Sequence, residues 1–267
     1  MRLSFVFFII TLSLLNTLSL PKVFSEDNVS KAAIIIDDFG GDVRGVNEFF
    51  DSQIPITVAV MPFLSHSNEQ AEKAHEIGLE VIVHLPLEPK KGKASWLGPN
   101  PITSDLSLEE VKERVNKAIE DVPHAVGINN HMGSKIVEDE KIMRAILEVA
   151  KEKGLYVVDS GTSGKSVIPT LAEELHIPWG VRDIFLDDTL SNSGHVEQQM
   201  KKLARIASKQ GQAIGIGHVG IKGEATVAGV KQAMPYLKEN HVEVVPASHL
   251  LDSPIDKDPE KFWHKGA

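Results

Sequence analysis

Two adjacent aspartates, Asp37 and Asp38, end the apolar run Ala32-Ala33-Ile34-Ile35-Ile36 and are followed by Phe39-Gly40-Gly41. A run apolar on both faces reads as a fully buried strand. Neighbouring carboxylates at its end repel one another and resist desolvation, so a cation, a proton or water has to take up the cost. His84, in the run Val81–Leu85, and His131, in Asn129-Asn130-His131, also stand at predicted strand ends. Each histidine alone reads as a hydrogen-bonded residue of a polar cleft. Two neutral imidazoles with a carboxylate are a ligand set for a divalent first-row metal, zinc first among them, with positions left open for water and substrate. Successive strand residues point in different directions, so one aspartate can bind an ion while the other faces its water. That second carboxylate can take a proton from the water as it attacks a carbonyl. His218 closes Ile214-Gly215-Ile216-Gly217, and an imidazole there suits protonation of a leaving amine or alkoxide. A third metal-ligand histidine or a packed core histidine are its other readings.

These residues need a scaffold that gathers strand ends. From Lys31 onward short β-branched runs alternate with helical periodicity. Strands are predicted at residues 32–36, 56–60, 81–85, 125–128, 155–158, 179–181, 213–216 and 242–245, with helices between them. Ser107-Leu108-Glu109-Glu110 is a capping box that opens one helix, and Gly154 stops another. Seven or eight βα units without a break in composition predict one α/β domain, a single parallel barrel; an open doubly wound sheet is the alternative. In a parallel barrel the loops after the strands share one face, where reactive groups collect. Asp37-Asp38, His84, Asn129-Asn130-His131, Asp159-Ser160, Asp187-Asp188 and His218 all fall there. Asn130, Asp159 and Asp187 are expected to line the mouth, positioning substrate hydroxyls or orienting Asp37 and the histidines.

The chain has 267 residues and no cysteine, which excludes a thiolate metal site and a cysteine nucleophile. No HExxH run is present. Residues 159–166, Asp-Ser-Gly-Thr-Ser-Gly-Lys-Ser, nearly spell a phosphate-binding loop, but the first position is Asp159, whose charge repels phosphate. Met1-Arg2 followed by an apolar stretch to about Leu20 reads as a secretory signal ending near Ser25, or as an uncleaved anchor. The expected layout is therefore residues 1–25 as signal or anchor, 26–31 as linker, 32–250 as barrel and 251–267 as tail. On either reading the folded part is exported, extracellular or held at the cell envelope. Removing residues 1–25 takes away Arg2 and Lys22 and no acid, which moves the formal charge from −9 to −11. Such a surface gives no electrostatic reason to bind nucleic acid or anionic lipid. Membrane association is expected only if the N-terminal segment is uncleaved.

Several ordered segments resemble the polysaccharide deacetylases, and more closely their divergent branch. They are Ile36-Asp-Asp-Phe-Gly40, His75-Glu-Ile-Gly78 leading to His84-Leu-Pro-Leu-Glu-Pro89, Gly127-Ile-Asn-Asn-His-Met-Gly-Ser134, Asp159-Ser-Gly-Thr-Ser163, Arg182-Asp-Ile-Phe-Leu-Asp187 and Gly215-Ile-Gly-His218. The resemblance implies an α/β fold, a single distorted parallel (β/α) barrel of about seven strands, and a metal-dependent hydrolase that removes acetyl groups from N-acetylated, or O-acetylated, carbohydrate. It implies Asp37 as general base, Asp38 as metal ligand and His218 as general acid. Of the main branch's two ligand histidines four residues apart, only His84 carries over, since Glu80 holds the other position. The Arg-x-Pro-Tyr motif is replaced by Asn129-Asn130-His131, from which His131 is inferred as the third ligand of an Asp38/His84/His131 site. The alternative function is a non-catalytic glycan-binding or envelope-organising protein on the same barrel; a sugar isomerase or aldolase on a metal barrel is a third.

Overall fold

The computed structural model describes residues 29–251 apart from residue 189. The predicted signal segment lies outside the described residues, as does the predicted tail beyond residue 251. No helix among the described residues is long and apolar enough to cross a membrane.

The chain runs β1 (Ser30–Phe39), α1 (Val46–Phe50), β2 (Thr57–Val60), α2 (Ser67–Glu76), β3 (Glu80–Leu87), α3 (Leu108–Asp121), β4 (Ala125–Met132), α4 (Glu140–Glu152), β5 (Tyr156–Asp159), α5 (Ile168–Leu175) and β6 (Trp179–Val181). It continues with β7 (Ile184–Phe185), α6 (Ser193–Gln210), β8 (Gln212–His218), α7 (Gly223–Glu239), β9 (Val242–Val244) and α8 (Ser248–Leu251). All pairings are parallel, in the order β6-β5-β4-β3-β2-β1-β8-β7, with β9 added beside the start of β1. The sheet curls as a barrel does, but β6 and β7 do not pair, so it stays open along that seam. This is the distorted (β/α) barrel, with β7 as a two-residue strand that the sequence pattern did not reveal.

Local sequence explains the helix boundaries. Ser107 and Glu110 form the reciprocal capping box of α3, Asp139 caps α4, and Asn192 caps α6, which stops at Gly211 with φ 88°. Each cap occupies backbone N–H groups that the first turn leaves without partners.

Strand alternation divides the core in two. Ala32, Ile34 and Ile36 of β1, Val81 and Val83 of β3, and Ile128 of β4 face the helices. Ala33 and Ile35, Ile82, Tyr156 and Val158, and Ile214 and Ile216 face the barrel interior, where Ala247, Leu250 and Leu251 join them from the C-terminal turn. The period of two carries directly to the upper ends of the strands. Asp37, His84, Asn129, His131 and His218 fall on the interior parity, whereas Asn130 and Asp159 fall on the helix-facing parity.

Candidate functional site

Several strands run on past their predicted ends through polar residues. His84 lies inside β3 and Asn129, Asn130 and His131 inside β4, paired in register His84↔Asn129 and Pro86↔His131. Asp37 pairs with His218 across β1 and β8. Ordinary parallel pairing therefore brings four strands' interior residues to one level.

Asp38 needs something more, because alternation alone would turn it toward the helices. Between the pairs Ile36↔Val58 and Phe39↔Val60 the register slips, and two residues of β1 stand opposite one of β2. At this bulge Asp38 adopts φ 70°, a left-handed conformation costing a non-glycine residue about 1–2 kcal/mol. Both carboxylates consequently face one imidazole: His84 Nδ1 is 3.6 Å from Asp37 Oδ1, and His84 Nε2 is 3.3 Å from Asp38 Oδ1.

Among the described residues Asp38, His84 and His131 form the one metal-compatible trio, with one ligand atom of each within 4.8 Å of the others. His131 Nδ1 lies 3.1 Å from Asp38 Oδ1 and 3.1 Å from His84 Nε2. Donor atoms about 2.0–2.1 Å from a shared ion stand roughly 2.9 Å apart in octahedral and about 3.3 Å apart in tetrahedral coordination, so the trio fits one. Asp38 Oδ1 is buried and makes no hydrogen bond despite its two nitrogen neighbours. An orphaned acceptor of this kind is costly unless a cation completes it.

The free nitrogen of each imidazole is set by its other nitrogen. His84 Nδ1 donates to Asn129 Oδ1 at 2.7 Å, and His131 Nε2 donates to the Trp96 carbonyl at 3.0 Å. These bonds leave His84 Nε2 and His131 Nδ1 as lone pairs directed at Asp38. Asn129 Nδ2 also donates to Asp37 Oδ1 at 2.7 Å, so one amide orients both a ligand and the neighbouring carboxylate. Asn129 was only part of a motif in the sequence; its interior parity beside His84 is the signal that distinguishes it from Asn130.

The two aspartates are electrostatically unlike. Burial raises the Asp37 carboxyl above its ordinary value, against the opposing pull of His84 and His218. Burial acts on Asp38 in the same direction, but the adjacent His131 and His84 imidazoles hold its carboxyl well below the usual range. His84 is desolvated, which favours its neutral form, yet Asp37 and Asp38 raise it overall. Across the mouth, His218 Nδ1 donates to Asp187 Oδ1 at 2.7 Å, while its backbone N–H donates to Asp187 Oδ2 at 2.9 Å. Thr226 Oγ1 donates to the same Oδ2 at 2.6 Å. Desolvation lowers His218, but the Asp187 hydrogen bond and the charge of Asp37 outweigh it and raise the imidazole to about 9. Its Nε2 is left to carry a proton toward the mouth.

The residues expected to hold sugar divide differently. Asp187 positions His218. Asn130 is buried and its amide is used internally, donating to the Met132 carbonyl and Thr162 Oγ1 and accepting from the Ser160 N–H. Asp159 is fully buried and accepts from the Gly161 N–H. The helix-facing parity of both explains why they brace the loop after β5 instead of lining the mouth. Arg182 braces it too, donating to the Ser160 and Gly161 carbonyls while stacking on Phe185 at 3.6 Å. Glu80 stands at the opposite end of the barrel from His84, accepting from Thr57, Tyr156 and Ser248.

Comparison with known proteins agrees with this architecture. The chain is 35% identical over 224 residues to the uncharacterized protein YibQ of Escherichia coli K12, covering 84% of this chain and 68% of that one. In three dimensions it resembles an uncharacterized protein, ATU2773, from Agrobacterium tumefaciens C58, with a TM-score of 0.77, 20% identity, and 85% and 91% of the two chains covered. The Bc1960 peptidoglycan N-acetylglucosamine deacetylase superposes with a TM-score of 0.57 at 11% identity, over 84% and 89% of the chains. The model of the divergent polysaccharide deacetylase family matches residues 34–251. The chain belongs to the divergent polysaccharide deacetylase family.

Proposed function

We propose that the protein is an exported, metal-dependent hydrolase that removes acetyl groups from N-acetylated carbohydrate. The convergence of Asp38 Oδ1, His84 Nε2 and His131 Nδ1 beside a separate buried carboxylate carries this reading. Family membership and the barrel shared with a peptidoglycan deacetylase support the substrate class. Asp38, His84 and His131 would hold the ion. A divalent ion there, zinc first, supplies Lewis acidity toward an acyl carbonyl and toward water.

The remaining steps belong to the chain. Asp37, raised by its burial, is the stronger proton acceptor of the pair and takes the proton of the attacking water. Asn129 holds that carboxylate through Nδ2, directing its acceptor lone pairs. His218 enters protonated, anchored through Nδ1 by Asp187, and delivers its Nε2 proton to the departing amine. An acid raised to about 9 is fully charged at neutral pH, as donation to a poor leaving group requires.

Metal content of the purified protein, followed by acetate release from N-acetylated oligosaccharides, tests the proposal. The expected result is one divalent ion per chain, with turnover abolished in Asp37→Asn while metal is retained. A full complement of metal with no acetate from any glycan would overturn the enzymatic reading and favour the glycan-binding alternative.

A further inference from the structure

The long segment between β3 and α3 carries Trp96, which is 57% exposed although its backbone touches the site. Its carbonyl accepts the His131 Nε2 proton at 3.0 Å. The indole is thus rooted one hydrogen bond from a metal-compatible imidazole and open to solvent. Lys93 Nζ lies 5.6 Å from its ring centroid, and a Cβ at Gly92 would stand 3.0 Å from Met132 Cε and 3.9 Å from the indole. The turn at Gly92 therefore passes closely between the indole and the residue that follows His131. An exposed indole costs hydrophobic free energy, and its flat apolar face with a polar N–H matches the C–H face and hydroxyl edge of a pyranose.

We propose that Trp96 is the stacking platform for the sugar ring that carries, or adjoins, the acyl group. The inference rests on the carbohydrate reading above and adds which residue selects the substrate. Because the Trp96 carbonyl orients His131 while its side chain meets the sugar, the same residue joins recognition to the ligand set. The side chain can be removed without removing the carbonyl.

Trp96→Ala and Trp96→Phe are compared with the wild-type protein by calorimetry and steady-state kinetics on an N-acetylglucosamine trisaccharide, alongside zinc titration. The expected result for Trp96→Ala is a roughly tenfold rise in KM and in the oligosaccharide Kd, with kcat and zinc affinity within twofold of wild type. Trp96→Phe is expected to recover most of the loss. An unchanged KM and Kd overturns the platform, as does a parallel fall in kcat and zinc affinity, which assigns Trp96 a purely structural role toward His131. If the wild-type protein binds zinc and the trisaccharide without releasing acetate, the hydrolase reading fails and the Kd difference alone decides the platform. If it binds no trisaccharide, the platform fails.

Discussion

His218 donates its Nδ1 proton to Asp187 at 2.7 Å while its own backbone N–H returns to the other oxygen of the same carboxylate. The residue is held at two points, ring and backbone, and its imidazole stays charged to about pH 9. A raised folded-state value above the unfolded value of about 6.5 means stability that is fully present below pH 6.5. That contribution is lost as pH rises through 9. NMR titration of metal-stripped protein should find His218 near 9, and thermal unfolding should show Tm declining between pH 6.5 and 9. Asp187→Asn should lower the titration point and flatten the decline. A midpoint near 6.5 in the unaltered protein would refute the pairing.

Asn129 bridges His84 and Asp37. Asn129→Leu frees the His84 ring to rotate or change tautomer, and zinc affinity should fall roughly 10–100-fold, the usual effect of losing such a support. Asn129→Asp keeps the acceptor for His84 and loses the donor to Asp37. It should therefore retain more zinc affinity than the leucine variant while losing turnover. Equal zinc affinity in all three proteins would remove Asn129 from the site.

The bulge at Asp38 holds a non-glycine residue at φ 70°. Asp38→Gly and Asp38→Ala both delete the carboxylate and should both lose zinc, but only glycine relieves the backbone. In metal-free unfolding experiments the glycine variant should exceed the alanine variant by about 1 kcal/mol. Equal stabilities would show that the bulge relaxes once the carboxylate is gone.

Glu80 Oε1 accepts from Thr57 Oγ1, Tyr156 O–H and the Ser248 N–H at 3.0, 2.9 and 3.2 Å. The Ala247 N–H meanwhile donates to Thr57 Oγ1 at 3.0 Å, so this cluster ties the C-terminal turn under the barrel. Four strand rises of about 3.3 Å each separate it from His84. Glu80→Ala should cost about 1.5–3 kcal/mol in denaturant unfolding and leave zinc affinity unchanged. A matched loss of zinc affinity would contradict this placement.

Much of the barrel is written locally. The alternation of β-branched runs with helical periods, the Ser107 box and the Gly154 stop depend on neighbours a few residues apart, and all appear where the sequence puts them. β7 carries no period because it has only two residues, and the pattern of β4 stops short because Asn129 and His131 look like loop residues until their ladder partners are known.

The chemical inventory was equally local: acid pair, imidazoles and late histidine stand at strand ends by composition alone. Strands apolar on both faces leave open which parity turns inward, so the separation of Asn129 from Asn130 and the outward setting of Asp159 come from the fold. Three more things required the folded chain. Asp38 turns inward only because β1 bulges against β2, Glu80 belongs to the floor because β3 crosses the whole barrel, and Trp96 reaches His131 by a long loop. Residue types and spacing determine which groups are available, since they follow from short-range geometry. Which groups meet, and with which nitrogen or oxygen, is decided by contacts between segments distant in the chain, whose register the local sequence does not encode.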